Sequence, residues 1–182
     1  MYASSCGLMS TTHAYGSRSM SASATRSIHR PSVSPIRPCS MPPVVMAYPR
    51  EVVIAKKFQA MVNLGMDNSR MKDYFDIDLL GRRHTFRGLR LARALEATFR
   101  RRHTSLPASL PPALSDGFAE DPRKRAQWSA FVRRLRLDAD EVTSLPEVVM
   151  RIRRFLLPVV EALVAGQVWN HDWPAGGPWM KT

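Results

Sequence analysis

Acidic side chains are missing from the first stretch of this chain, and Glu51 is the earliest of them. Residues 1–45 are instead rich in Ser, Met, Thr and Pro, and they show neither the 3.6-residue period of an amphipathic helix nor the alternation of a half-buried strand. A segment with no apolar face has nothing to offset the entropy of ordering it. We therefore expect a disordered Ser/Arg/Pro-rich tail over 1–45 and a folded region over 46–182. One core is expected, because domains usually need roughly 100 to 150 residues. The tail superficially matches an organelle transit peptide in its Arg/Ser content, but no amphipathic helix accompanies that composition.

From Tyr48-Pro49-Arg50 the texture becomes helical. Val52, Val53, Phe58, Met61, Val62 and Leu64 recur at helical spacing, Pro49 suits a first turn and Gly65 offers a stop, which predicts a helix over about 50–65. Asp67-Asn68-Ser69 supplies capping side chains for a second helix over about 70–82 that ends at Gly81-Arg82, with Met71, Tyr74, Phe75 and Leu79 as its apolar stripe. Leu91, Leu95 and Phe99 mark a third helix over about 86–102, followed by a Pro-rich loop from Leu106 to Pro112. Asp121-Pro122 starts a fourth, through Trp128, Phe131, Val132 and Leu135. Ser144-Leu145-Pro146-Glu147 has capping-box spacing and opens a fifth, kinked at Pro158. The ending, Trp169 to Trp179 with Gly176-Gly177-Pro178, is expected to fold back and bury one or two indoles. No strand is expected after residue 52, so the fold class is mainly α, a helical bundle.

The formal net charge is +12, from 27 Lys+Arg against 15 Asp+Glu. Such an excess favours a polyanionic partner through counterion release, although a general abundance of Arg explains it equally well. No apolar run approaches the roughly 20 residues of a membrane-spanning helix, so no membrane partner is expected. Cys6 and Cys39 both fall in the tail, no metal-ligand spacing is present, and a reducing bacterial cytoplasm fits.

The residues that carry chemistry lie on the second helix. Lys72, Asp73 and Asp76 are separated by steps that return to one face, which is expected to be polar and opposite the apolar stripe. Taken alone, Lys72 four residues before Asp76 reads as an exposed ion pair. With Lys57 and Arg70 added, the group becomes a cationic cluster around two carboxylates, suited to holding a nucleotide's phosphates. Asp73 or Asp76 would then orient a cation or accept a proton from an attacking hydroxyl, and spacing assigns neither role.

The stretch from Tyr48-Pro49-Arg50-Glu51 through Lys57-Phe58, then Asn68-Ser69-Arg70-Met71-Lys72-Asp73-Tyr74-Phe75-Asp76, resembles the AbiEii/AbiGii nucleotidyltransferase toxins of abortive-infection, type IV toxin-antitoxin systems. The likeness covers about residues 43–180, and Arg-x-Lys-Asp-x-x-Asp is its most specific part. It implies a DNA polymerase β-like nucleotidyltransferase that uses a nucleoside triphosphate and Mg²⁺ to modify an acceptor such as tRNA, with a cognate antitoxin as partner. By the same likeness, Lys72, Asp73 and Asp76 fall on catalytic positions and Lys57 and Arg70 on nucleotide-binding ones.

The chain departs from the family's pattern in three places. Ala55-Lys56-Lys57 stands where Ala-Glu-Lys is usual, and Asp78 stands where a large apolar residue is usual. The third departure is larger. These enzymes carry a Gly-Gly or Gly-Ser turn followed on a strand by Asp-x-Asp, whose carboxylates hold Mg²⁺. Gly16-Ser17 has no Asp-x-Asp after it in the tail, Asp76-Ile77-Asp78 sits on a helix, and Asp138-Ala139-Asp140 reads as a connection between helices. The α/β nucleotidyltransferase core is therefore expected to be largely absent and the chain catalytically incomplete, as a frameshift or misplaced start would leave it. The competing expectation is a non-catalytic basic helical module that binds RNA or an antitoxin through Arg100-Arg101-Arg102, Arg123-Lys124-Arg125 or Arg151/Arg153/Arg154.

Overall fold

The structure is a computed structural model that describes residues 48–135 and 143–182. The disorder expected of 1–45, both cysteines and Asp138-Ala139-Asp140 lie outside the described residues.

Among the described residues six helices carry the fold: α1 (Arg50–Leu64), α2 (Met71–Arg83), α3 (Gly88–Arg101), α4 (Asp116–Glu120), α5 (Pro122–Leu135) and α6 (Leu145–Val164). Short 3-10 turns at Gly65–Asp67 and Pro112–Leu114 join them. The predicted helices are all present, with ends shifted by one or two residues. Helix α6 matches its pattern most closely: Val148, Val149, Ile152, Phe155, Leu156 and Val159 are all buried. Burying each such side chain fully contributes about 1.5–3 kcal/mol. Its start is held by Glu147, whose Oε2 accepts from the Ser144 amide at 3.3 Å, and the helix continues through Pro158. At α5, Asp121 Oδ1 accepts from the amides of Arg123 and Lys124 (2.7 and 3.1 Å), as the Asp-Pro start predicts.

Two expectations about α2 need correction. Gly81 does not end the helix; it lies inside, and its carbonyl accepts from Trp173 Nε1 (2.8 Å) and the Gly176 amide (3.0 Å). The helix runs on to Arg83, where the His84 amide donates to the Leu80 carbonyl. The buried stripe also runs Met71, Tyr74, Ile77 and not through Leu79, and it takes in Asp73 and Asp78 on its flanks. Asp73 thus does not stand on a solvent-facing polar side, because α1 covers it.

The absence of strands is also corrected. Three very short strands, β1 (Phe86–Arg87), β2 (His171–Trp173) and β3 (Met180–Lys181), form an antiparallel sheet in the order β1-β2-β3. Pairs of this length carry no readable alternation. Trp173 is 6 % exposed and packs on Phe155 (centroids 4.9 Å apart), and Trp179 Nε1 donates to the Phe155 carbonyl (2.9 Å), so the folding back of the ending is as expected. Two glycines make the return possible. A Cβ at Gly88 would stand 2.4 Å from the His171 carbonyl oxygen, and one at Gly177 (φ +76°) would stand 2.4 Å from the Trp173 ring.

Candidate functional site

Helices α1 and α2 bring the predicted residues together. Buried Phe58 on α1 packs on Phe99 of α3, which turns the next residue back, Lys57, toward α2. At the entry to α2 the fully buried Asn68 accepts from the Arg70 amide (2.9 Å), donates to Tyr74 Oη (3.4 Å) and offers its carbonyl to Lys124 Nζ (2.9 Å). The capping expected of Asp67-Asn68-Ser69 is not found, since Arg70 is the N-cap of α2 and no side chain caps it; Asn68 instead forms a turn that positions Arg70.

Lys57 sits between the two carboxylates. Its Nζ lies 2.5 Å from Asp73 Oδ1 and 2.9 Å from Asp76 Oδ2. Lys72 Nζ reaches Asp76 Oδ2 at 2.8 Å, and Arg70 Nε faces Asp73 Oδ2 at 2.9 Å. All five residues singled out from the sequence thus form one chain of charges, Arg70-Asp73-Lys57-Asp76-Lys72. Exposure grades it: the Asp73 side chain is 5 % exposed, Lys57 19 %, Asp76 20 % and Lys72 71 %. The exposed Lys72–Asp76 pair contributes only a few tenths of a kcal/mol. Burial of Lys57 by itself lowers its pKa, but the hydrogen bonds and charges of Asp73 and Asp76 outweigh that and hold the ammonium above its ordinary value. Tyr74, beneath the cluster, donates to the Ala113 carbonyl (2.9 Å). Burial raises its pKa, the Asn68 hydrogen bond opposes the rise and the Asp73 charge adds to it.

Asp73 Oδ2 is buried and close to Arg70 Nε, yet the two lack the alignment of an N–H hydrogen bond. This oxygen therefore retains accepting capacity. The cluster opens on two clefts. One, of about 330 Å³, is lined by Tyr48, Lys56, Lys57, Arg70, Asp73 and Arg102. The other, of about 490 Å³, is lined by Arg70, Lys72, Asp73, Gln127, Phe131 and Arg134. Three cations against two carboxylates leave the centre positive, and Arg102 and Arg134 add to this at the rims.

A family model described as nucleotidyl transferase AbiEii toxin, type IV TA system, matches residues 16–163. The chain belongs to the AbiEii nucleotidyltransferase toxin family. The match begins at residue 16, earlier than the likeness read from position 43, so part of the acid-free segment lies within it. It ends before the Trp-rich return. No curated protein and no solved structure matches the chain. A toxin family of this kind implies an antitoxin as partner and a chemistry that uses a nucleoside triphosphate and a metal. No helix among the described residues is long and apolar enough to cross a membrane.

Several residues of the site have no signal in spacing. Arg102 donates to Gln59 Oε1 (2.7 Å), and Gln59 Nε2 in turn donates to Thr104 Oγ1 (2.8 Å); this fixes one cleft wall from residues far apart in sequence. Gln127 and Arg134 reach the other cleft from α5. The three basic triplets read as candidate surfaces are partly engaged internally. Lys124 holds the Asn68 carbonyl, Arg151 binds Asp78, and Arg153 pairs with Asp116 (2.7 Å) and donates to the Leu114 carbonyl.

The donor set fits phosphate better than metal. Both carboxylates of the cluster already face ammonium or guanidinium groups. Among the described residues no three His, Cys, Asp or Glu side chains gather as a metal site would require. Asp76 and Asp78, despite their Asp-x-Asp spelling, have separate partners: Asp76 meets Lys57 and Lys72, and Asp78 meets Arg82 and Arg151. Residues two apart on a helix diverge, so they do not converge on one ion.

Proposed function

We propose that the Lys57, Arg70, Lys72, Asp73 and Asp76 cluster is the phosphate-binding part of a nucleotidyltransferase toxin's site. In this reading the chain holds a nucleoside triphosphate whose family chemistry is transfer to an RNA acceptor. The observation that carries it is Lys57 held between Asp73 and Asp76 at the junction of two cationic clefts. Lys57 and Arg70 meet phosphate oxygens, and Lys72, the most exposed cation, swings from Asp76 to add a third contact. Asp73 is a positioning group, since it is buried and keeps the Lys57 ammonium charged and aimed. Asp76, freed by Lys72, is the carboxylate placed to accept a proton from an incoming hydroxyl.

Mg²⁺, when bound in enzymes of this chemistry, neutralises charge on the triphosphate during transfer. Because the sequence holds no Gly-Ser turn followed by Asp-x-Asp, we read this chain as binding the nucleotide without completing transfer by itself. Incubation with labelled nucleoside triphosphates, Mg²⁺ and bulk tRNA tests both parts. The expected result is nucleotide binding that is lost in Lys57→Gln, with no label reaching RNA. Absence of binding to the folded protein overturns the site, and label transfer that disappears in Asp76→Asn overturns the incompleteness.

A further inference from the structure

A row of cations outside the three triplets suggested by sequence also remains available for a large anion. Helix α3 is strongly two-sided. Leu91, Leu95 and Phe99 are buried, while Arg87 just before it and Arg90, Arg93, Arg100 and Arg101 along it are exposed. Of these, Arg100 has Glu96 within 3.9 Å, whereas Arg87, Arg90, Arg93 and Arg101 have no charge partner or side-chain hydrogen bond among the described residues. Arg90 and Arg93 lie one three-residue step apart on α3, about 4.5 Å along its axis, and Arg87 precedes them at the end of β1.

These three also line two adjoining clefts. The first, about 390 Å³, takes Arg87, Leu89, Arg90, Arg93, Asn170 and Asp172. The second, about 480 Å³, takes Arg87 and Arg90 again together with Arg50, Glu51, Asp172 and Met180. Four guanidiniums thus face two carboxylates, and the exposed apolar surface of Leu89 and Met180 lies among them. A small anion would use one cleft. A row shared by two clefts suits an extended chain of anionic groups with apolar parts between them.

Direction links this row to the nucleotide site. Arg50 at the start of α1 shares a cleft with Arg87 and Arg90 at the start of α3. Gln59 further along α1 bonds Arg102 at the end of α3, so the two helices run side by side in the same sense. Arg102 lines the cleft that holds Lys57, Arg70 and Asp73. The distance from Arg90 to Arg102 along the helix is about 18 Å.

We propose that Arg87, Arg90 and Arg93, with Arg50, form a track for the sugar-phosphate backbone of a single-stranded RNA whose end reaches the Lys57 site along α3. The choice of RNA rests on the nucleotidyltransferase reading above; the track itself rests on the unpaired guanidiniums and the two clefts. Guanidinium groups pair with phosphate through paired N–H donors, and apolar side chains between them cover sugar and base faces.

The test uses the full chain and a fluorescein-labelled 12-nucleotide single-stranded RNA in polarisation titrations at several KCl concentrations. Nucleoside triphosphate binding is measured in parallel by calorimetry, and folding is checked by thermal melts. In Arg87→Ala/Arg90→Ala/Arg93→Ala the RNA affinity is expected to fall at least tenfold. The slope of log K against log salt should shrink by about 2, the value for three lost phosphate contacts on a single strand. Triphosphate affinity should hold within about twofold. The charge-matched Arg123→Ala/Arg125→Ala/Arg133→Ala variant, on α5, should change the slope much less. Equal loss in both triple variants, or no RNA binding by a wild type that binds triphosphate, overturns the track. Wild-type RNA binding that is lost in the α3 variant while no triphosphate binds upholds the track and overturns the nucleotide site.

Discussion

Helix α2 carries two buried carboxylates, Asp73 and Asp78, that answer burial in opposite ways. Asp78, 4 % exposed, is closed off: Arg151 Nε and Nη2 take its two oxygens at 2.5 and 3.0 Å, and Arg82 Nε adds a third contact at 3.0 Å. It fastens α2 to α6 beside a cavity of only about 110 Å³. Asp73, 3 % exposed, is left open: one oxygen holds Lys57, and the other has a nearby guanidinium without an aligned hydrogen bond. It borders two wide clefts. Burial alone therefore does not mark a functional acid. What separates the two is whether the surrounding donors are fully used and whether the group borders space.

The largest effect should come from breaking the closed network. Asp78→Ala leaves Arg151 without its partner and is expected to destabilise by about 3 kcal/mol, the lower end for such losses because both arginines can turn toward water. Chemical denaturation measures this, and triphosphate binding should stay within about twofold of wild type. Since an apolar replacement of a buried pair is often neutral, Asp78→Leu/Arg151→Met should regain most of the loss. Failure to regain it would mean that the pair does more than fasten two helices.

Lys57→Met attacks the open network and should cost about 2 kcal/mol, because Asp73 then keeps only Arg70. The distinguishing readout is calorimetric titration with triphosphate, where a loss of at least tenfold is expected. A variant that loses stability but keeps the nucleotide would make Asp73 a second structural tie and dissolve the contrast.

Alkaline titration gives a smaller effect confined to the open side. Lys57 has its folded pKa raised above 10.5, so its contribution is complete below about pH 10.5 and is lost as pH rises through the folded value. Tyr74 is also raised, from 10.0: the folded protein keeps a proton that the unfolded chain releases, so stability falls from about pH 10 upward. The urea midpoint should be level from about pH 7 to 9 and decline above, less steeply in Tyr74→Phe. A flat profile to pH 11 would contradict the burial of Tyr74. The smallest change is expected for Lys72→Ala, within about 0.5 kcal/mol in stability, with a threefold or smaller loss of triphosphate affinity.

The positions of the helices were legible because their signals are local. Caps at Asp121 and Ser144 and the apolar periods of α3 and α6 depend on residues within a few turns of each other. Legibility failed where a neighbour decides. The buried face of α2 is rotated relative to its apolar count because α1 supplies Lys57 and α6 supplies Arg151, and these make it possible to bury Asp73 and Asp78. Gly81 looked like a stop but serves as an acceptor for Trp173, more than ninety residues away by sequence number. The three short strands exist because Gly88 and Gly177 permit close packing of a distant segment.

By itself, the sequence determined that the described residues would be mainly helical, that Arg70 to Asp76 would lie at the start of one helix, and which family the chain belongs to. Tertiary structure alone decided that Lys57 would stand between Asp73 and Asp76, that Asp78 would be closed by Arg151, and that Arg87, Arg90 and Arg93 would line one cleft together. The reason is the range of the forces involved. Capping and amphipathic periods act over a few residues, whereas the partner of a charge is chosen by whichever helix packs against it.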